Sequence, residues 1–172
     1  MPEVACAKQG MEKMQPMAPL LPPPTLLPLG ELTANVGAPI DVGEGPHGRR
    51  RVIPILGGSF SGGKMSGRVL GNANDYQIIR RDGVLELQAR YVIETADKAL
   101  IYVENNGLRD GPAELLAAQV RGELVDHAQI YFRAIPRFET AAPQYQWLTR
   151  RIFVSAGCRF PDKVVIQFYQ LS

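Results

Sequence analysis

The residues that could do chemistry in this chain are arginines, carboxylates and a handful of aromatic rings. Arg90, Arg109, Arg133 and Arg137 can each hold an oxyanion, and Asp75, Glu86, Glu104 and Glu139 can each shuttle a proton. Asp75 and Arg90 are the pair of greatest interest, because the Asp82-Gly83 dipeptide between them is a tight-turn signal. With a two-residue loop, Arg81 pairs with Val84 and Arg90 falls opposite Asp75, so the two are expected on one face of a hairpin. Inside a cavity, Arg90 would orient an anionic or carbonyl group and Asp75 would fix that arginine or act as base. On the outside the same pair would be a surface salt bridge worth ~0–1 kcal/mol. Tyr76, Asn105, Arg109, Arg133, Glu139, Tyr145 and Trp147 complete the set of candidate ligand contacts, mixing rings with hydrogen-bonding groups in a way that suits an aromatic or acyl carbonyl compound.

Other chemistries lack their residues. His47 and His127 are the two histidines, too few for a metal-ligand cluster, and neither forms a plausible pair with a cysteine. There is no Gly-x-Ser-x-Gly elbow, and no glycine fingerprint follows a strand and opens a helix, so a serine hydrolase and a dinucleotide enzyme are both disfavoured. Gly58 and Gly63-Lys64 have the spacing of a phosphate loop, but Met65 stands where Ser or Thr must bind magnesium, and strand rather than helix follows. Gly57, Gly58 and Gly62 read instead as bulges and close-approach points that let a sheet curl. No cofactor and no metal are expected.

The elements that must position these residues are short β-prone runs joined by Gly, Asn and Asp turns. Strands are expected over Leu26–Val36, Val52–Leu56, Gly67–Leu70, Tyr76–Arg80, Val84–Glu94, Ala99–Glu104, Ile130–Ala134, Gln146–Ser155 and Lys163–Leu171. Pro39 to Gly48 reads as a long loop, and Asn105-Asn106-Gly107 as a strand end. One helix follows Asp110-Gly111-Pro112, with proline at its first position, and Gly122 stops it. Along Val84–Glu94 an oily face (Leu85, Leu87, Ala89, Tyr91, Ile93) alternates with a polar one (Glu86, Gln88, Arg90, Val92, Glu94). The polar face either meets solvent or, in a cavity barrel, lines the inside. About eight strands, one helix and several glycine kinks predict an all-β fold, an antiparallel barrel rather than a sandwich.

Composition narrows the partners. The chain has 172 residues, 45% hydrophobic, with 19 basic and 17 acidic side chains for a net +2. That length suits one domain over 26–172, preceded by a proline-rich leader over 1–25 with no apolar periodicity. The near-neutral balance argues against nucleic acid, and no run approaches the ~20 apolar residues of a membrane helix. Cys6 and Cys158 are the only cysteines, which fits a reducing cytoplasm. A small-molecule ligand is the expected partner; homo-oligomerisation is left open.

Ile53-Pro54-Ile55-x-Gly57-Gly58-x-Phe60-x-Gly62, Gly67-x-Val69-Leu70, Asp75-Tyr76, Asp82-Gly83-Val84, Ala89-Arg90-Tyr91, Ala99 to Val103, Asn105-x-Gly107, Tyr131-Phe132-Arg133, Pro136 to Thr140 and Tyr145-x-Trp147-Leu148 occur in that order. Together they resemble the domain-of-unknown-function family 3237, also grouped as UPF0311. The resemblance runs from about Leu26 to Leu171 and implies a barrel of the allene-oxide-cyclase or lipocalin-like kind with a central cavity and no settled activity. The family's usual Gly-Gly-x-Asp-Trp is here Asn72-Ala73-Asn74-Asp75-Tyr76, so the aspartate is kept and the indole is not. Two classes of function fit: a cofactor-independent enzyme of isomerase, lyase or hydrolase type, and a non-catalytic carrier or protein-interaction module.

Overall fold

The computed structural model describes residues 21–172. Ten strands run β1 Leu26–Val36, β2 Ile40–Gly45, β3 Gly48–Ser61, β4 Ser66–Val69, β5 Ala73–Ile79, β6 Leu85–Thr95, β7 Leu100–Asp110, β8 Tyr131–Glu139, β9 Phe153–Arg159 and β10 Lys163–Leu171. Helix α1, Ala113–Arg121, lies between β7 and β8. Of the leader expected over 1–25, residues 1–20 lie outside the described residues. Its last residue, Thr25, is tied to the other end of the chain, its amide donating to Ser172 Oγ at 2.9 Å.

All pairings are antiparallel, and the sheet closes on itself because β1 pairs with both β10 and β3. The ten strands fill eight positions of a barrel, since β1 and β2 share one side of β3 while β4 and β5 share the other. Closure leaves each strand with one inward side-chain row and one outward row. Along β6 the inward row is Leu85, Leu87, Ala89, Tyr91 and Ile93. The oily face therefore faces the interior, and the polar face of this strand is the one turned to solvent. Burial of apolar area, worth about 25 cal/mol per Å², decides the orientation.

Several sequence expectations are corrected. Pro39 to Gly48 is not a long loop but β2 folding back on the start of β3, kinked where Gly43 (φ +98°) breaks the register. β3 continues through the glycines to Ser61, and Asn105-Asn106-Gly107 lies inside β7 rather than at its end. Gly58 shows why: at φ +155° beside β1, a Cβ would run into the Thr33 carbonyl, so glycine lets two backbones meet there. Gln146–Ser155 is not one strand. Pro143 opens a 3-10 helix, Pro143–Arg150, that turns Leu148 into the core, and β9 begins only at Phe153. Pro112 sits just before α1 as its N-cap, while Gly122 closes it at φ +81°, the left-handed conformation a helix stop favours.

The interior is packed at one end and hollow at the other. Phe60, Phe138, Phe153 and Phe168 meet edge-on or tilted at centroid separations of 5.0–6.1 Å, with Leu148 and Trp147 over them. Asp97, in the β6–β7 turn, accepts from Tyr145 Oη at 3.0 Å and Gln144 Nε2 at 2.9 Å and so holds the 3-10 segment across this end. Among the described residues no helix is long and apolar enough to cross a membrane.

Candidate functional site

The hairpin that carries Asp75 determines the site. The amide of Arg80 donates to Val84 O at 2.9 Å and that of Gly83 to Arg80 O at 3.0 Å, which makes a three-residue loop, Arg81 to Gly83, with Gly83 at φ +90°. The expected two-residue loop is therefore wrong by one residue. Asn74 pairs with Arg90, and Asp75 pairs with Ala89. A slip of one residue flips every side chain to the other face, so Asp75 and Arg90 are separated by the sheet. Arg90 is outside, bonded to Glu104 at 3.1 Å and Asn106 Oδ1 at 2.8 Å. Asp75 is inside.

The hollow end of the barrel is a cavity of about 330 Å³. Its apolar walls include Leu32, Ile53, Ile55, Leu87, Phe132 and Ile166; its mouth is framed by Gly37–Pro39, Val120 of α1, and Pro161 and Asp162 of the last turn. Polar groups project into it from four strands. β3 contributes Arg51, inward on the same row as Ile53 and Ile55, and β5 contributes Asp75 and Gln77. β7 contributes Asn105 and Arg109, on the row of Ile101 and Val103, while β9 contributes Arg159. This volume and mixture are those of a small-molecule pocket.

These groups form a directed relay. Arg51 Nε donates to Gln77 Oε1 at 2.7 Å, Gln77 Nε2 donates to Asp75 Oδ2, and the amide of Gln88 donates to Asp75 Oδ1 at 2.9 Å. Burial pushes the Asp75 carboxyl above the ordinary carboxylate range, against the pull of those donors and of Arg51 and Arg159. Burial also lowers all three guanidiniums, and Arg109, beside Arg51 and Arg159, is pushed down to about 10. Ala89 lies directly between Asp75 and Asn105 in the pairing of β5, β6 and β7. Its small side chain leaves a slot with the carboxylate on one wall and the amide on the other, and Tyr91, two residues along the same inward row, lies beyond it.

Four buried polar atoms have no protein hydrogen-bond partner among the described residues: Tyr91 Oη, Asn105 Oδ1, Arg109 Nε and Arg159 Nη1. All four belong to residues that line this one cavity. Tyr91, Asn105 and Arg109 are each only 4% exposed. An unpaired buried donor or acceptor costs roughly 1–3 kcal/mol, so these four atoms mark the part of the barrel where water or a bound molecule would supply the missing hydrogen bonds.

Of the residues singled out in the sequence, Asp75, Asn105 and Arg109 meet in the cavity. Tyr76 and Glu139 are exposed on the outer wall, and Arg133 lies there too, its guanidinium over the Tyr131 ring at 5.5 Å. Tyr145 and Trp147 sit on the 3-10 segment at the packed end, where Lys64 lies 4.9 Å from the indole. Arg51, Gln77, Tyr91 and Arg159 were missed. Each keeps the inward parity of its strand, Arg51 with Ile53, Gln77 with Asp75, Tyr91 with Ile93 and Arg159 with Phe153, and that parity was the available signal. The expectation of no Cys–His pair is also corrected: Cys158 Sγ lies 3.1 Å from His127 Nδ1 and 3.3 Å from Nε2. Near-equal distances to both nitrogens place the sulfur along neither lone pair, and burial raises the thiol, so this contact is not an activated nucleophile. Among the described residues no three His, Cys, Asp or Glu side chains converge as a metal site.

Comparison with known proteins fits this geometry to a family. A UPF0311 protein of Rhodopseudomonas palustris is 50% identical over 140 residues, covering 81% of this chain and 92% of its own; one of Clostridium acetobutylicum is 46% identical over 142 residues, covering 82% and 90%. A crystal structure of a Rhodopseudomonas palustris protein of unknown function superposes with a TM-score of 0.84 at 47% identity, covering 88% of this chain and all of the other. A β-barrel-like protein of Acinetobacter baumannii gives 0.78 at 37% identity, covering 89% and 99%. An enzyme of Penicillium herquei, 18% identical with a TM-score of 0.68 over 91% of this chain and all of its own, shares the fold. The family described as protein of unknown function DUF3237 matches residues 24–171, and the chain belongs to it.

Proposed function

We propose that the cavity binds a small, partly aromatic or acyl carbonyl compound, and that Asp75 moves a proton on it without a bound cofactor. The observation that carries this reading is the Ala89 slot, in which a carboxylate with a raised pKa faces the unpartnered Asn105 and Tyr91 groups. A substrate carbon seated over Ala89 would lie beside the Asp75 carboxylate. Transfer of its proton to Asp75 leaves an enolate, whose negative oxygen is favoured by the guanidiniums around the cavity, and return of the proton to a different atom completes an isomerisation. Loss of a leaving group from the same enolate would make the enzyme a lyase. The free thiol of Cys158 suits work in a reducing cytoplasm.

Proton transfer is read directly by deuterium exchange. Phenylpyruvate, acetophenone and similar enolisable carbonyl compounds are incubated with the protein in heavy water, and exchange at the carbon next to the carbonyl is followed by NMR. The expected result is exchange above the buffer rate with the native chain and its loss in Asp75→Asn, with the barrel still folded by circular dichroism. Binding without exchange would instead identify a carrier. No binding by any of these compounds would count against the cavity as their site.

A further inference from the structure

The unpartnered atoms of the cavity are sorted by depth, and this sorting specifies the two ends of the ligand. Strand register sets the order. Arg159 pairs with Val164, next to the Phe160–Asp162 turn that frames the mouth. Arg109 lies near the end of β7 that leads into α1, whose Val120 frames the mouth as well. Asn105 is four residues back along β7, level with Ala89 and Asp75, and Tyr91 pairs with Val103, deeper still.

The two arginines are fixed and incompletely used. Arg109 Nη2 donates to Gln119 of α1 while its Nε has no partner, and Arg159 Nη2 donates to Pro161 O at 3.0 Å while its Nη1 has none. In each case one N–H anchors the guanidinium and another is left for an acceptor. Arg51 differs, because its Nε is committed through Gln77 to Asp75. The mouth therefore holds two guanidiniums, Arg109 and Arg159, against the one carboxylate of Asp162, while the deep half holds the carboxylate of Asp75, the Asn105 oxygen and the Tyr91 hydroxyl. While Asp75 is ionised, an anionic group on the incoming ligand is attracted to the first region and repelled from the second. A hydroxyl suits the second, since it can donate to Asn105 Oδ1 and accept from Tyr91 Oη.

We infer that the natural ligand is a two-ended hydroxy-carboxylate, with its carboxylate on Arg109 and Arg159 at the mouth, its hydroxyl between Asn105 and Tyr91, and an apolar body along Leu87, Phe132 and Ile166. The inference rests on the reading that this cavity is the ligand site. Asn105 and Arg109 are separated by roughly 13 Å of strand, at about 3.3 Å per residue. With side chains reaching inward from both, the gap accommodates an aromatic ring and a short carbon chain.

Three probes test the two ends by calorimetry: 3-(4-hydroxyphenyl)propanoate, 3-phenylpropanoate, which lacks the hydroxyl, and the methyl ester of the first, which lacks the charge. The native chain should bind the first about tenfold or more tighter than either of the others. Arg159→Met should weaken the two acids and leave the ester unchanged. Asn105→Leu should weaken the two phenols and leave 3-phenylpropanoate unchanged, with folding of both variants checked by circular dichroism. Such matched losses identify which residue meets which end. Equal binding of acid and ester, or an equal loss for all probes in each variant, would overturn the inference. So would failure of all three probes to bind when the carbonyl compounds above do bind. Failure of both sets would count against the cavity itself.

Discussion

At the residue scale the informative side chain is Asp75, because its environment pulls two ways. Desolvation raises its pKa, while the Gln77 and Gln88 donors and the nearby guanidiniums oppose that rise, and desolvation wins. A carboxyl with a folded pKa above its unfolded value binds more protons when folded. Its contribution to stability is therefore largest below the ordinary carboxylate range and declines as pH rises through the raised value. Asp75→Asn removes that titration. Urea midpoints measured from pH 4 to pH 8 should fall more steeply for the native chain than for the variant, and parallel curves would show that the carboxyl is not perturbed. Ala89 offers a second test at this scale. Ala89→Leu keeps the inward side chain apolar but fills the slot between Asp75 and Asn105, so ligand binding should be lost, while overpacking lowers stability by ~1–3 kcal/mol. Retained binding in a folded variant would place the ligand elsewhere.

At the element scale, what could be read in the sequence was what local chemistry decides. β1 and β10 run over the expected residues, and the helix stop at Gly122 is where glycine placed it, because alternation and turn residues act over a few positions. The Asp82-Gly83 turn was legible as a turn but not in its length. A single extra loop residue reverses the face of everything after it, and this is why Asp75 lies in the cavity while Arg90, expected opposite it on the same face, lies outside. Tyr145 and Trp147 were misplaced for a different reason. Gln146 to Ser155 is rich enough in β-formers to suggest a strand, but docking of Leu148 and Trp147 onto Phe153 overrides propensity. That 3-10 segment is clasped by Asp97, whose pKa is lowered to about 2 by bonds from Thr95, Gln144 and Tyr145. A lowered carboxyl stabilises above its ordinary pKa of 3.8 and loses that contribution as pH falls toward 2. The sole tryptophan reports on the clasp. Trp147 fluorescence should shift between pH 4 and pH 2 in the native chain and should already be shifted at pH 7 in Asp97→Ala; an emission maximum independent of both would show that the segment holds without the aspartate.

At the scale of the whole molecule, the packed core and the proposed ligand site occupy opposite ends of one barrel. The packed end buries four phenylalanines with Leu148 among closed strands, and the hollow end gathers three guanidiniums with the carboxylates of Asp75 and Asp162 and four polar atoms unpartnered. Buried charges that lower one another's pKa are not there to hold the fold together. They are the arrangement expected where a site is kept ready for an outside partner at the expense of the free protein. Two substitutions separate the ends. Phe153→Ala, in the packed core, should cost ~3–5 kcal/mol, since its cavity is walled by the rings of Phe138 and Trp147 and cannot collapse freely. Arg159→Met removes a half-buried charge that burial and two neighbouring guanidiniums disfavour more than Asp75 and Asp162 favour it, and gives up one exposed bond to Pro161 O, so the urea midpoint should rise while carboxylate binding falls. A drop in stability of more than ~1 kcal/mol in Arg159→Met would show that the arginine cluster supports the barrel itself, and the division between a structural end and a ligand end would not hold.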